Sequence, residues 1–175
     1  FSDRSAGNMS FNYGAPAGTP DNRKSFLKEL NVDYRGLVCV KQTHGANIKL
    51  AGPLQKGAGA LEYATALPDA DAIITDQKNL PIAIFTADCL SVFLFDPLTR
   101  SIGLVHAGWM GTQLNLTAKT VETLRVEFQS KPENIRVLFG PCIRNCCYEV
   151  GKDFQDKFPK KLLRRRGKLF LDLVQ

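Results

Sequence analysis

The chain has 175 residues, 44% hydrophobic and 23% charged, which suits one folded domain with its own core. No apolar run approaches the ~18–20 residues that a membrane-crossing helix needs, and no signal-peptide pattern opens the chain at Phe1. The net charge of +6 is local: residues 157–168 ("KFPKKLLRRRGK") hold seven basic and no acidic residues, and 16 basic against 17 acidic residues remain elsewhere. That run reads as a solvated turn or tail and lacks the interleaved aromatics of a nucleic-acid surface.

In chain order, "TPDNRKSFLKEL" (19–30) predicts a helix. Thr19 can cap it, Pro20 suits its first turn, and Phe26, Leu27 and Leu30 form an apolar stripe. "GLVCV" (36–40) reads as a short strand, and the Gly- and Ala-rich stretch 51–68 as loop. "ADAIITD" (70–76), "PIAIFTA" (81–87), "SVFLFD" (91–96) and "SIGLVHA" (101–107) are strands in rapid succession. Their short spacers favour antiparallel or mixed pairing. One long helix is predicted over 112–129, with Leu114, Ala118, Val121, Leu124 and Phe128 at helical spacing and Thr112 as its cap. "IRVLFG" (135–140) is a strand, 147–158 holds a short helix, and the closing "LFLDLVQ" is strand-like. The class is mixed α and β with a mixed sheet.

Five cysteines, two of them adjacent at Cys146 and Cys147, do not resemble a secreted disulfide framework. A reducing, cytoplasmic setting is expected. The chain starts without Met and stops in a strand-like run, so truncation at one or both ends is also expected.

The chemistry gathers on rare residues. The two histidines, His44 in "KQTHGAN" and His106 in "GLVHAGWMG", both sit where a strand hands over to a loop. Cys89 in "TADC" sits at a break between strand-like runs, beside Asp88. Two imidazoles and a thiolate are ligands that zinc favours, and three protein ligands with an open position is the pattern of a catalytic site. The bland alternatives are hydrogen-bonded strand-end histidines and a cysteine acting as a small core hydrophobe. Gly108 and Gly111 permit a tight turn into the helix, whose N-terminus would suit an anion.

"KQTHG", "ADAIITD", "TADCLSVFLFDP", "VHAGWMG" and "GPCIRNCCYEVG", in this order, closely resemble the YfiH-type laccase-domain family. The likeness runs from "FSDRSAGNMS" to about Gly151. It implies an α+β fold, a layered α/β/β/α arrangement with mixed sheets, in a single domain over 1–175. It also implies a purine nucleoside phosphorylase with adenosine deaminase activity, in a family first described as multicopper polyphenol oxidase. Carried over by motif, the metal ligands are His44, Cys89 and His106, holding Zn2+, with Cu2+ as the alternative. Asp88 and Cys89 take catalytic roles. Lys41, Gln42 and Trp109, with Gly108 and Gly111, lie on the substrate side. The partners implied are purine nucleosides and phosphate, with no nucleic acid and no membrane. The chain departs from the family at Met110 and at Arg144–Asn145, where the family usually has Arg and Gly–Pro. An Arg-rich segment that follows the "LDL" strand in the family lies beyond Gln175.

The leading expectation is a zinc-dependent enzyme that phosphorolyses adenosine, inosine or methylthioadenosine and deaminates adenosine. A copper-dependent polyphenol oxidase is the older alternative, but two histidines cannot furnish a multicopper set. A metal-free cysteine hydrolase using Cys89 and His106 is a third, and a non-catalytic binding domain a fourth. For "GPCIRNCCYEVG", packing near the site is favoured over metal binding, because adjacency is expected to turn Cys146 and Cys147 in different directions.

Overall fold

A computed structural model describes residues 1–14 and 17–174. Its main sheet has five strands in the order β2 (Ile48–Leu50), β3 (Ala72–Thr75), β6 (Ser101–Ala107), β5 (Leu90–Asp96) and β7 (Arg136–Phe139). β2 and β3 are parallel and the other pairs antiparallel, which makes the sheet mixed.

Strand alternation sorts the side chains into layers. Ala72, Ile74, Val92, Leu94, Val105 and Ala107 face one side and pack with Leu116 and Leu124 of α3 (Leu116–Phe128). Ile73 and Leu104 face the other side and meet Val38, Val40 and Ile82. Those residues belong to or flank a two-stranded parallel pair, β1 (Val38–Cys39) with β4 (Ile82–Ala83). The reverse face of that pair carries Leu37, Cys39 and Ala83 onto Leu27 of α1 (Thr19–Glu29). The order helix, sheet, sheet, helix follows from these contacts. A third sheet, β8 (Glu149–Val150), β10 (Lys168–Leu171) and β9 (Leu163–Arg166), is antiparallel.

Three elements differ from expectation. Thr19 does not cap α1: Gly18 holds that position, and the buried Thr19 hydroxyl donates to Ser10 O at 3.3 Å. The single helix over 112–129 is two, α2 (Trp109–Gln113) and α3, parted at Asn115 with φ +58°. The break resets the phase, so Leu114 and Ala118 are exposed and the buried stripe is Leu116, Thr120 and Leu124. Thr112 lies inside α2, and Gly108 is the cap. The basic run also has structure: it supplies β9, turns at Gly167 with φ +73°, and returns as β10, with its arginines exposed. The short helix is α4 (Phe154–Lys157), and the strand-like end begins with β10. Gln175 lies outside the described residues. No helix among the described residues is long and apolar enough to cross a membrane.

Candidate metal centre

The site forms where three segments leave the two facing sheets. His106 is the penultimate residue of β6, buried at 3% exposure, and pairs across the ladder with Ser91. Cys89, half-buried, immediately precedes β5. His44, exposed, stands in the loop after β1 with φ +59°, a strained region for a residue with a Cβ. One donor atom from each of His44, Cys89 and His106 lies within 4.8 Å of the others. The two imidazoles meet edge to face at 4.8 Å.

Asp71, just before β3, holds both histidines. Its Oδ1 meets His106 Nδ1 at 2.7 Å and accepts the His44 N–H at 3.0 Å. Its Oδ2 accepts N–H groups from Thr43 at 3.1 Å and Gly45 at 2.7 Å, and the Thr43 hydroxyl at 3.2 Å. The backbone N–H of His106 donates to Asp71 O at 2.7 Å. One carboxylate therefore fixes the loop that carries His44 and orients the ring of His106. With Nδ1 taken, His106 turns Nε2 toward Cys89. Burial alone would raise the Asp71 pKa, but the hydrogen bond to His106 and the N–H groups of Gly45 and Thr43 hold it below the usual carboxylate value. Burial would likewise lower the His106 pKa. Hydrogen bonds to Asp71 and Cys89, and the charges on both, overcome it and raise the value to about 9.

Gly108 leaves room for this grouping. A Cβ there would stand 3.3 Å from Cys89 Sγ, 3.4 Å from His44 Cδ2 and 4.0 Å from His106 Nε2. Gly111 is close-packed too: a Cβ would come within 3.3 Å of Gly45 O and 3.4 Å of His106 O. The donor set fits a tetrahedral metal with one open position, in which bonds of ~2.0–2.3 Å put neighbouring ligands roughly 3.5 Å apart. His44 is the exposed member of the three.

The other expected site residues are spread around this centre. Gln42 forms a two-way clamp: its Nε2 donates to Phe85 O and its Oε1 accepts the Phe85 N–H, both at 2.8 Å. This ties the His44 loop to the segment that leads to Cys89. Lys41 Nζ donates to Ala64 O at 2.9 Å and sits over the Tyr63 ring. Asp88 is exposed, and its backbone O accepts the Ile143 N–H at 2.9 Å. Trp109 packs on Phe154, with ring centroids 5.2 Å apart, and joins α2 to the third sheet. Beside Asp88 opens a cleft of about 920 Å³, lined by Thr86, Ala87, Ser91 and Phe93 among others. Ser91 Oγ is buried there with no partner among the described residues.

Two residues escape a reading of the sequence. Asp71 looks like the polar start of a strand, and only its position ahead of four buried residues, Ala72–Thr75, marks it. Tyr148 borders the site from the "CCYEV" segment. Burial, then the nearby Cys89 and Asp88, push its phenol up, so it keeps its proton. "GPCIRNCCYEVG" also brings Cys142 near: burial raises its pKa first, Arg144 opposes, and Asp172 and Cys89 add to the rise.

Comparison with known proteins agrees with the resemblance read from the motifs. Residues 4–175 match the family described as multi-copper polyphenol oxidoreductase laccase. A Bacillus subtilis (strain 168) protein named purine nucleoside phosphorylase YlmD is 34% identical over 135 residues, covering 77% of this chain and 49% of the relative. A protein from an unknown prokaryotic organism, named adenosine deaminase RL5, is 29% identical over 140 residues, covering 80% of this chain and 53% of the relative. The crystal structure of YlmD from Geobacillus stearothermophilus superposes with a TM-score of 0.89 at 30% identity, over 95% of this chain and 65% of that one. The chain spans about half the length of the curated relatives it matches. The layered mixed fold is thus shared with a solved relative, and the chain belongs to the multi-copper polyphenol oxidoreductase laccase family.

Proposed function

We propose that this chain carries the centre of a zinc-dependent purine nucleoside enzyme, one that phosphorolyses adenosine, inosine or methylthioadenosine and deaminates adenosine. The observation that carries the reading is the meeting of His44, Cys89 and His106 within 4.8 Å, braced by Asp71. The names of the relatives, purine nucleoside phosphorylase and adenosine deaminase, support the substrate class. Zinc supplies Lewis acidity at such a site, polarising a substrate oxygen or lowering the pKa of water toward ~7.

The chain's own residues do the remaining work. Asp71 holds the His106 Nδ1 proton and keeps Nε2 directed inward. Gly108 keeps the fourth side open. Asp88 stands at the mouth as the group that moves a proton between site and solvent, and Tyr148 serves as a donor that stays protonated. The cleft beside Asp88, whose size suits a nucleoside, takes the substrate, with Lys41 and Trp109 lying outside its lining. Copper is disfavoured for four-electron chemistry, since the 175 residues include two histidines. We infer a cytoplasmic location from five free thiols.

One observation favours a second reading. Cys89, His106 and Asp71 stand in line as nucleophile, base and orienter, the arrangement of a metal-free cysteine hydrolase. Metal dependence separates the two. The zinc-loaded chain, incubated with adenosine and phosphate, is expected to yield adenine with ribose 1-phosphate, and inosine, by chromatography. Activity that survives exhaustive chelation would overturn the zinc reading and favour the thiol, and absence of nucleoside products with zinc bound would overturn the substrate class.

A further inference from the structure

Adjacent residues in extended chain send their side chains to opposite faces, yet Cys146 and Cys147 do not diverge. Their sulfurs lie 3.2 Å apart, with the Cys147 thiol donating to Cys146 Sγ, and both residues are exposed. A turn produces this convergence. The N–H groups of Cys147 and Tyr148 both donate to Arg144 O at 2.9 Å, and the Glu149 N–H donates to Cys147 O at 2.9 Å. The turn is held at both ends. Arg144 grips Asp172 through Nε at 2.8 Å and NH2 at 3.1 Å. On the far side β8 pairs with β10.

The surroundings differentiate the two thiols. Cys147 supplies the hydrogen bond and Cys146 Sγ accepts it. The hydrogen bond to Cys146, and then the charge there, push the Cys147 thiol up, so Cys147 keeps its proton. An exposed sulfur with a second thiol in reach is the arrangement of redox-sensing cysteines.

We propose that Cys146 and Cys147 form a redox pair, Cys146 attacking and Cys147 resolving, that closes to a vicinal disulfide in exchange with low-molecular-weight disulfides. In the first step Cys146 thiolate attacks one sulfur of the small disulfide, and the other sulfur leaves as a thiolate. In the second, Cys147 gives up its proton and displaces the bound thiol from Cys146. Two electrons and two protons pass from the pair to the small disulfide, which becomes two thiols. The sulfurs move from 3.2 Å to a bond of ~2.05 Å, and the exposed turn absorbs the change. This pair is separate from the metal centre, and the proposal stands whichever reaction that centre performs.

Trypsin tests it directly. Cleavage after Arg144 and Lys152 releases residues 145–152, a peptide whose only cysteines are Cys146 and Cys147. The whole chain is treated with oxidised glutathione, alkylated without reduction, digested and weighed. The peptide is expected two hydrogens light and free of alkyl groups, with two alkylation sites returning after dithiothreitol. Cys147→Ser is expected to hold one glutathione on Cys146, while in Cys146→Ser the remaining Cys147 stays alkylatable. Two alkyl groups on the peptide after oxidant, a lasting glutathione adduct on the unmutated chain, or a cross-link to the Cys142 peptide would overturn the pair. Equal glutathione capture by both variants would overturn the assigned roles.

Discussion

Asp71 is one side chain with five hydrogen bonds, three from the loop backbone, one from Thr43 and one shared with His106. Removing its charge while keeping its shape separates orientation from packing. Asp71→Asn is expected to weaken zinc binding roughly 10–100-fold, the usual cost of losing a carboxylate behind a histidine ligand; chelator competition measures it. The pKa of His106 gives a second prediction. In the metal-free chain it is raised from 6.5 to about 9, so its share of stability is complete below pH 6.5 and is lost as pH rises through 9. Thermal unfolding with chelator should therefore show melting temperatures falling between those values, and His106→Gln should flatten the fall. The three grouped residues stand out in the sequence because His is rare here and Cys89 interrupts an apolar run. Asp71 is not, because its partners lie 26 to 35 positions away and only the folded sheets bring them together.

At the scale of elements, Asn115 matters most to how the centre is approached. It takes φ +58° between α2 and α3, which lets α2 begin at the site while α3 covers the sheet. Asn tolerates this region better than most residues, and a β-branched side chain does not. Asn115→Val is expected to cost about 1–3 kcal/mol in chemical denaturation, and Asn115→Gly much less. Sequence periodicity reads through this break because both helices are apolar at similar spacing, so a single helix is the natural expectation. Strands fare differently. β5 and β6 lie close to their predicted bounds, since each has a long neighbour to pair with. β4 shrinks to Ile82–Ala83, because the residues after it bend toward Cys89 and Phe85 pairs with the side chain of Gln42 instead of a strand. The basic run conceals a strand for a related reason: β9 is specified by its partner β10 and not by its own composition.

For the whole molecule, the exposed feature with the largest consequence is β7. It ends the main sheet, pairs only with β5 among the described residues, and leaves Val137, Leu138 and Phe139 52%, 62% and 52% exposed. An apolar edge of this kind recruits other chains. The 175-residue chain is expected to self-associate through it as concentration rises, and Leu138→Lys to keep it monomeric to higher concentration in sedimentation or light scattering. The loop held by Asp71 carries a different consequence. The Thr43, His44 and Gly45 amides all rest on one carboxylate, so none can open alone without loosening the others. In hydrogen–deuterium exchange these three amides are expected to behave as one cooperative unit. Zinc held at the proposed site is expected to slow all three by a common factor.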